Sequence, residues 1–163
     1  SGFHGETYNC PAEVAEARYG LYVDQLRLND APGGEGEWRG GKGIVLDYRV
    51  RSDDCFITVG YTRSRIPPWG SAGGLDGSPN GVEILRADGG REHHAIATNI
   101  PLRAGDVVRV RTGNGGGYGP PRRRDPARVI DDVANGYITH EAATQIYGVQ
   151  VDRLPSPTNF KEH

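Results

Sequence analysis

The stretch Ile44-Val45-Leu46-Asp47-Tyr48-Arg49-Val50 (residues 44–50) decides the fold. Ile44, Leu46, Tyr48 and Val50 alternate with Asp47 and Arg49, the period of two expected of a strand with one buried face. Ser52-Asp53-Asp54 supplies a turn, and residues 55–61 (CFITVGY) read as the returning strand, so the two are expected to pair as a hairpin. Upstream, Tyr19, Leu21 and Val23 share one parity and Leu26 and Leu28 the other. A strand whose apolar face changes parity needs one extra residue, which predicts a bulge near Asp24-Gln25. Before it, Cys10-Pro11-Ala12-Glu13 reads as a short helical turn capped by Asn9 or Cys10, because proline is tolerated in a first turn.

Working forward from residue 61, the periodic runs stay short. Val82, Ile84 and Ile96 flank an Asp88-Gly89 turn, and Leu102 faces Val107, Val108 and Val110 across Ala104-Gly105-Asp106. The character then changes. Asp125 can cap a helix that has Pro126 at its first position and carries Val129, Ile130 and Val133 before Asn135-Gly136 stops it. Thr139 can cap a second short helix with Ala143, Ile146 and Tyr147, ended by Gly148, after which Val149 and Val151 suggest a last short strand. The expected fold is mainly β with a short C-terminal helical hairpin, a single α+β domain. Residues 1–10 read as an extended N-terminal arm and residues 153–163 as a polar tail, and no internal repeat is visible.

Composition agrees. The chain has 163 residues, enough for one domain with a modest core. Its 25 glycines and 11 prolines favour short strands and tight turns over a helical bundle. A formal net charge of -2 gives no global field to draw nucleic acid or an anionic membrane. The cluster Arg122-Arg123-Arg124 is answered by Asp125, Asp131 and Asp132, so it reads as a solvated helix entry rather than a nucleic-acid patch. No apolar run approaches the roughly 20 residues that span a bilayer, and no signal-peptide core opens the chain. Two cysteines make no disulfide framework, and a cytoplasmic location is expected. With no methionine present, Ser1 follows either a removed initiator or a cleavage boundary, and both stay open.

Metal-binding and nucleophilic motifs are sparse. Cys10, Cys55, His4, His93, His94 and His140 are the soft-ligand candidates, yet no CxxC, HxH or HExxH spacing occurs. Cys55 in mid-strand suits a small hydrophobe, and His93 and His94, being adjacent, would point to opposite faces of a strand. No GxSxG elbow is present, and Cys10 beside a helix start is better read as structural. The glycine-rich segment 31–43 matches no Walker A pattern and reads as a wide turn pinned by packing of Trp38. The most specific feature is Gly113-Asn114-Gly115-Gly116-Gly117-Tyr118-Gly119-Pro120. Such a run allows close backbone approach. A phosphate cradle would want a helix start behind it, and the one that follows carries Asp125, which repels phosphate. A tight backbone crossing under Tyr118 or at a subunit interface is the favoured reading.

Four segments carry a resemblance. Residues 33–50 (GGEGEWRGGKGIVLDYRV) resemble the GGxGxxRGGxGxxxxYR segment of the hydantoinase B / 5-oxoprolinase family. Residues 63–74 (RSRIPPWGSAGG) resemble its RxxxPPWGxxGG. Residues 104–149 resemble PGDxxxxxTPGGGGYGDPxxRDPxxVxxDVxxGxVSxExAxxxYGV, and residues 9–28 resemble NTPxExxExxYPLxVxxYxLR. The order and spacing agree from about residue 9 to 151. Gly113, Asn114 and Pro120 depart from the pattern, standing where it has Pro, Gly and Asp. These changes weaken a catalytic role for the loop and leave a docking role intact.

The resemblance implies that residues 11–152 form a hydantoinase B-type carboxyl-terminal domain. It implies hydantoinase A-type and B-type subunits as partners in a hetero-oligomer, with ATP and Mg held by those partners and neither nucleic acid nor membrane bound. It also implies that the substrate and metal sites lie in upstream sequence absent from this chain, which resembles a split-off end piece. No catalytic residue is assigned within the chain. Gly115, Gly116, Gly117, Tyr118 and Gly119, with Pro67, Pro68 and Trp69, are singled out as a site or interface loop, and Cys10, Cys55, His93 and His94 as metal candidates. The expected function is a small structural subunit of an ATP-dependent ketone carboxylase of the acetophenone carboxylase type. The alternatives are the C-terminal portion of an ATP-dependent cyclic-amide hydrolase and a zinc-carrying accessory subunit.

Overall fold

The computed structural model describes residues 10–151, so Asn9, His4, the rest of the N-terminal arm and the tail 153–163 lie outside the described residues. In chain order the elements are α1 (Ala12–Arg18), β1 (Leu21–Leu28), β2 (Ile44–Val50), β3 (Cys55–Gly60), β4 (Gly81–Leu85), β5 (Arg91–His94), β6 (Ile96–Leu102), β7 (Val107–Arg111), a 3-10 turn (Pro121–Arg123), α2 (Pro126–Ala134), α3 (His140–Ala142) and a π turn (Ala143–Tyr147). This is the mainly β, α+β architecture that the patterning predicts. Contacts group the described residues in two compact units, neither of them continuous in sequence. One draws on residues 10–28, Ile44–Ser64 and Asn80–Thr112; the other on Asn29–Gly43, Arg65–Pro79 and residues 113–151.

The first unit holds all seven strands of the described residues, in an antiparallel five-stranded sheet of order β1-β2-β7-β4-β5 and a two-stranded sheet of β3 and β6. The expected β2–β3 hairpin does not form. β2 already has a hydrogen-bonded neighbour on each edge, β1 and β7, while β3 pairs with β6. The turn at 51–54 instead carries the chain from one sheet to the other, and Val50 and Val59 meet in the core between them. Ala104-Gly105-Asp106 makes the same change between β6 and β7. The Asp88-Gly89 turn does close a hairpin, β4 with β5, but Ile96 begins β6 rather than joining it. Val50, Val59, Val82, Ile84, Leu102 and Val108 form the buried core, with Cys55 packed against it as a small hydrophobe.

The predicted bulge is present, since the β1–β2 register skips between Val23 and Gln25. It sets Leu26 opposite Leu46 and Leu28 opposite Ile44, although both leucines remain about half exposed. α1 starts at Ala12 with Pro11, not Cys10, in the cap position.

β2 is not a strand with one buried face. Val45 is fully buried and Asp47 is 4% exposed. Asp47 lies in a cross-strand row, Gln25–Asp47–Arg109–Glu83–His93, that crosses all five strands. Arg109 donates Nε and Nη2 to the two Asp47 oxygens at 2.9 and 2.8 Å, and Gln25 Nε2 donates at 2.6 Å. Burial alone would raise the Asp47 carboxyl, but the bonds from Arg109 and Gln25 outweigh it and hold the group below its ordinary range. Asp106 behaves likewise, with burial opposed by the Ala87 and Arg103 amides and by Arg86.

The second unit has little regular structure. Val129, Val133, Ala143 and Tyr147 form its apolar cluster, and Val149 and Val151 pack against it without forming the expected strand. α2 is capped as predicted: Asp125 accepts from the Ala127 amide, Pro126 comes first and Asn135 closes the end. Thr139 caps α3 by accepting from the Ala142 amide, and Gly148 ends the π turn at φ 74°.

The rest of this unit is three glycine-rich loops laid backbone to backbone. The loop at 114–119 runs between residues 34–41 and 68–78. Trp38 and Tyr118 exchange two main-chain bonds of 2.9 Å, Gly115 N donates to Gly41 O, and on the other side Gly117 N donates to Leu75 O and Gly119 N to Ser71 O. A methyl at Gly40 would overlap the Gly115 carbonyl, and one at Gly117 the Glu35 carbonyl. Asn114, buried, fastens all three loops. Its side chain accepts from Gly43 N (2.9 Å) and donates to Ala31 O (2.7 Å), and its amide donates to Ser78 Oγ (2.8 Å).

Two outcomes follow from this packing. Both depressed carboxyls bind fewer protons folded than unfolded, so their stabilisation is present above their ordinary range near pH 4 and is lost as pH falls through the lower folded values. Urea denaturation should show reduced stability at pH 3 relative to pH 7, with Asp47→Asn costing about 2 kcal/mol at pH 7 and shrinking the pH difference. Gly117→Ala or Gly40→Ala should cost about 3 kcal/mol or more in the same measurement, because only backbone can move aside. Gly41→Ala, where no atom lies within 4 Å of the new methyl, should be neutral within about 0.5 kcal/mol.

Candidate functional site

The glycine loop is placed where it cannot cradle a phosphate. The amides of Asn114, Gly115, Gly117, Tyr118 and Gly119 are all donated within the protein. The close backbone crossing expected of the loop is therefore what the structure contains. Gly115 to Gly119 and the Pro67-Pro68-Trp69 segment come together in it: Gly77 N donates to Pro68 O at 2.8 Å, and a methyl at Gly116 would overlap the Trp69 carbonyl.

What the crossing presents outward is aromatic. Trp38, Trp69 and Tyr118 are each more than half exposed. Trp38 thus does not pin its loop by burying its ring, as the sequence suggests; its backbone does so through the bridge to Tyr118. As a directly opposed hydrogen-bonded pair, Trp38 and Tyr118 set their rings on one side. The Arg128 guanidinium covers the Trp38 ring at 5.2 Å from its centre.

Behind this surface the charged residues of the resembling motifs pair with one another. Arg39 donates Nε and Nη2 to buried Asp132 at 3.2 Å. Arg124 donates Nη2 to the same carboxylate at 2.8 Å and Nη1 to Glu37 O at 2.9 Å. Two guanidiniums on one carboxylate tie the 33–41 loop to α2, which makes these residues structural.

Next to Arg39 opens a cavity of about 510 Å³, between the start of the glycine loop and the C-terminal helical turns. Pro32, Ile138, Ala142 and Ile146 give it an apolar wall. Tyr137 lies on that wall with the Arg39 guanidinium 4.5 Å from its ring centre. Lys42, half-buried, donates to Ala31 O at 3.3 Å, and burial pushes its ammonium below the usual lysine range against the pull of Glu35. Glu35, buried, accepts from Gly33 N at 3.1 Å through Oε1. Thr139, the one serine or threonine of the lining among the described residues, uses its hydroxyl to cap α3. The cavity thus has groups for holding a ligand and, among the described residues, no hydroxyl or thiol nucleophile paired with a base. Sequence reading missed it. Lys42 and Glu35 look like loop residues, and their wall lies a hundred residues downstream in the chain.

The metal candidates do not converge. Cys10 is exposed ahead of α1, and Cys55 Sγ lies 3.4 Å from Ser52 Oγ. On β5, His93 is 3.7 Å from Glu83 while His94 is 3.1 Å from Glu92, on opposite faces as the adjacent positions require. Among the described residues no three His, Cys, Asp or Glu side chains gather as a metal site. No described helix is long and apolar enough to cross a membrane.

Comparison with known proteins places this arrangement. A family model described as hydantoinase B/oxoprolinase matches residues 2–121. The chain is 33% identical over 146 residues to the beta chain of the caprolactamase of Pseudomonas jessenii, covering 86% of this chain and 25% of that one. It is 32% identical over 151 residues to a protein of Pseudomonas sp. (strain NS671) provisionally named as the B component of a D-/L-hydantoinase, covering 91% and 25%. The crystal structure of the ATP-dependent caprolactamase from P. jessenii superposes with a TM-score of 0.70 at 30% identity, over 87% of this chain and 25% of that one. A nucleotide-free acetone carboxylase superposes with the same TM-score at 22% identity, over 89% and 24%, and so shares the fold. The chain spans about a quarter of the length of these relatives. It belongs to the hydantoinase B/oxoprolinase family.

Proposed function

We propose that this chain is the non-catalytic carboxyl-terminal part of an ATP-dependent hydantoinase-type enzyme that opens cyclic amides, working in a hetero-oligomer. In that assembly a hydantoinase A-type partner holds ATP and Mg, and B-type sequence supplies the reacting centre. The observation that carries this reading is the use made of the motif residues. The amides of Gly115, Gly117 and Gly119, with Arg39, Arg124 and Asp132, are committed inside the unit, while Trp38, Trp69 and Tyr118 face outward. Exposed aromatic side chains of this kind suit a protein interface. The cyclic-amide substrate class is supported by the caprolactamase and hydantoinase names of relatives at 32–33% identity. A second reading, a ketone carboxylase of the acetophenone carboxylase type, is favoured by the likeness of fold to acetone carboxylase. A zinc-carrying role would need ligands in addition to any the described residues supply, since no three His, Cys, Asp or Glu side chains gather among them.

Native mass spectrometry of the assembly from its source should show this chain with larger A-type and B-type sequence. With ATP and Mg the assembly should open caprolactam, 5-oxoproline or a hydantoin, whereas this chain alone should not. Bicarbonate-dependent consumption of a ketone would move the assignment to the second reading, and turnover by the isolated chain would refute the non-catalytic role. Replacing both Trp38 and Tyr118 by alanine should weaken association at least about tenfold, about 1.4 kcal/mol, without changing the unfolding midpoint.

A further inference from the structure

The cavity beside Arg39 has a charge arrangement that restricts what can occupy it. Lys42 contributes an ammonium with three donors, of which one is used on the Ala31 carbonyl. Glu35 keeps Oε2 free of any hydrogen bond from the described residues, and Asp30 and Glu141 add two further carboxylates, the Glu141 Oε1 being held by Gln145. The Arg39 guanidinium is already taken up by Asp132 and Tyr137. A simple anion would meet one cation and an excess of carboxylates. A simple cation would meet the Lys42 ammonium. A ligand with both charges satisfies both ends, and its carbon chain can lie along Pro32, Ile138 and Ile146. A volume of about 510 Å³ is within the usual range of small-molecule sites.

We infer that this cavity binds a small zwitterionic amino acid, its carboxylate on Lys42 and its ammonium on Glu35. Water opening a lactam such as caprolactam or 5-oxoproline breaks the amide C–N bond, adds OH to the carbonyl carbon and H to the nitrogen, and leaves a carboxylate and an amine, protonated at neutral pH; a hydantoin would leave a neutral ureido group in place of the amine. The ring-opened product of a lactam is therefore a ligand of this class, and its identification as product rests on the cyclic-amide reading. The closed ring lacks the ammonium, and in caprolactam the carboxylate as well, so the cavity discriminates product from substrate.

The test is an NMR titration of the full ¹⁵N-labelled chain with 6-aminohexanoate and with glutamate, against caprolactam, hexanoate and hexylamine. At least one amino acid should shift the amides of Tyr137, Ile138 and Ile146 saturably, with a Kd at least about tenfold below those of all three analogues. Lys42→Ala should weaken that binding about tenfold, and Ile146→Trp, which fills the cavity, should abolish it. Absence of saturable shifts with both amino acids, equal binding of caprolactam, or unchanged binding by Lys42→Ala would each overturn the assignment. If the amino acid binds while the assembly carboxylates ketones, the cavity assignment stands and the ring-opening reading falls. If the assembly opens lactams and the cavity binds neither amino acid, the reverse holds.

Discussion

Residues 114–119 pass between two other loops and donate amides to both, at a spacing that leaves no room for a β-carbon at Gly116 or Gly117. The rest of the second unit depends on this contact. An extended segment buried between two others must satisfy its polar main chain by pairing, and the pairing distance of main chain to main chain sets how close the loops come. Glycine at Gly40 and Gly117 is what permits that approach. The charged residues around the loops complete the lock. Asp132 gathers Arg39 and Arg124 from two parts of the chain, so the loops, the 3-10 turn and α2 share one electrostatic centre.

The first unit solves a different problem. Its strands are short and β2 buries the row of Val45 and Asp47, so a polar side chain on that row has to be neutralised where it stands. Asp47 is held by Gln25 from one neighbouring strand and Arg109 from the other. The row continues through Glu83 to His93 at the sheet edge, where charges are met by solvent as well as by partners. An alternation of charge by strand, rather than along a strand, keeps the sheet in a single register.

Local chemistry was legible in the sequence wherever the cause is local. The caps of α2 and α3 at Asp125 and Thr139, the αL stop at Gly148 and the bulge at Asp24 each follow from residues within a turn of the feature. Strand pairing was not legible, because whether β2 takes β3 or β7 as neighbour depends on residues sixty positions away competing for one edge. The crossing of the glycine loop was readable, since only close approach demands such a run. The role of Arg39 was not, for its partner lies 93 positions on. The cavity was invisible for the same reason: Lys42 and Ile146 acquire a relation to each other only after the loops have met.

The interleaving of the loops has a consequence for how the molecule is made. A chain emerging from the ribosome presents residues 34–41 long before residues 114–119 exist. At roughly 5–20 residues per second the first loop waits on the order of several seconds for the segment that pairs with Trp38 and Gly41. During that interval its carbonyls have only water or a stranger to bond. The nascent protein therefore carries an open main-chain edge until residues 114–119 have been made. An early partner such as a chaperone would find its landing place there, before the finished weave has closed over it.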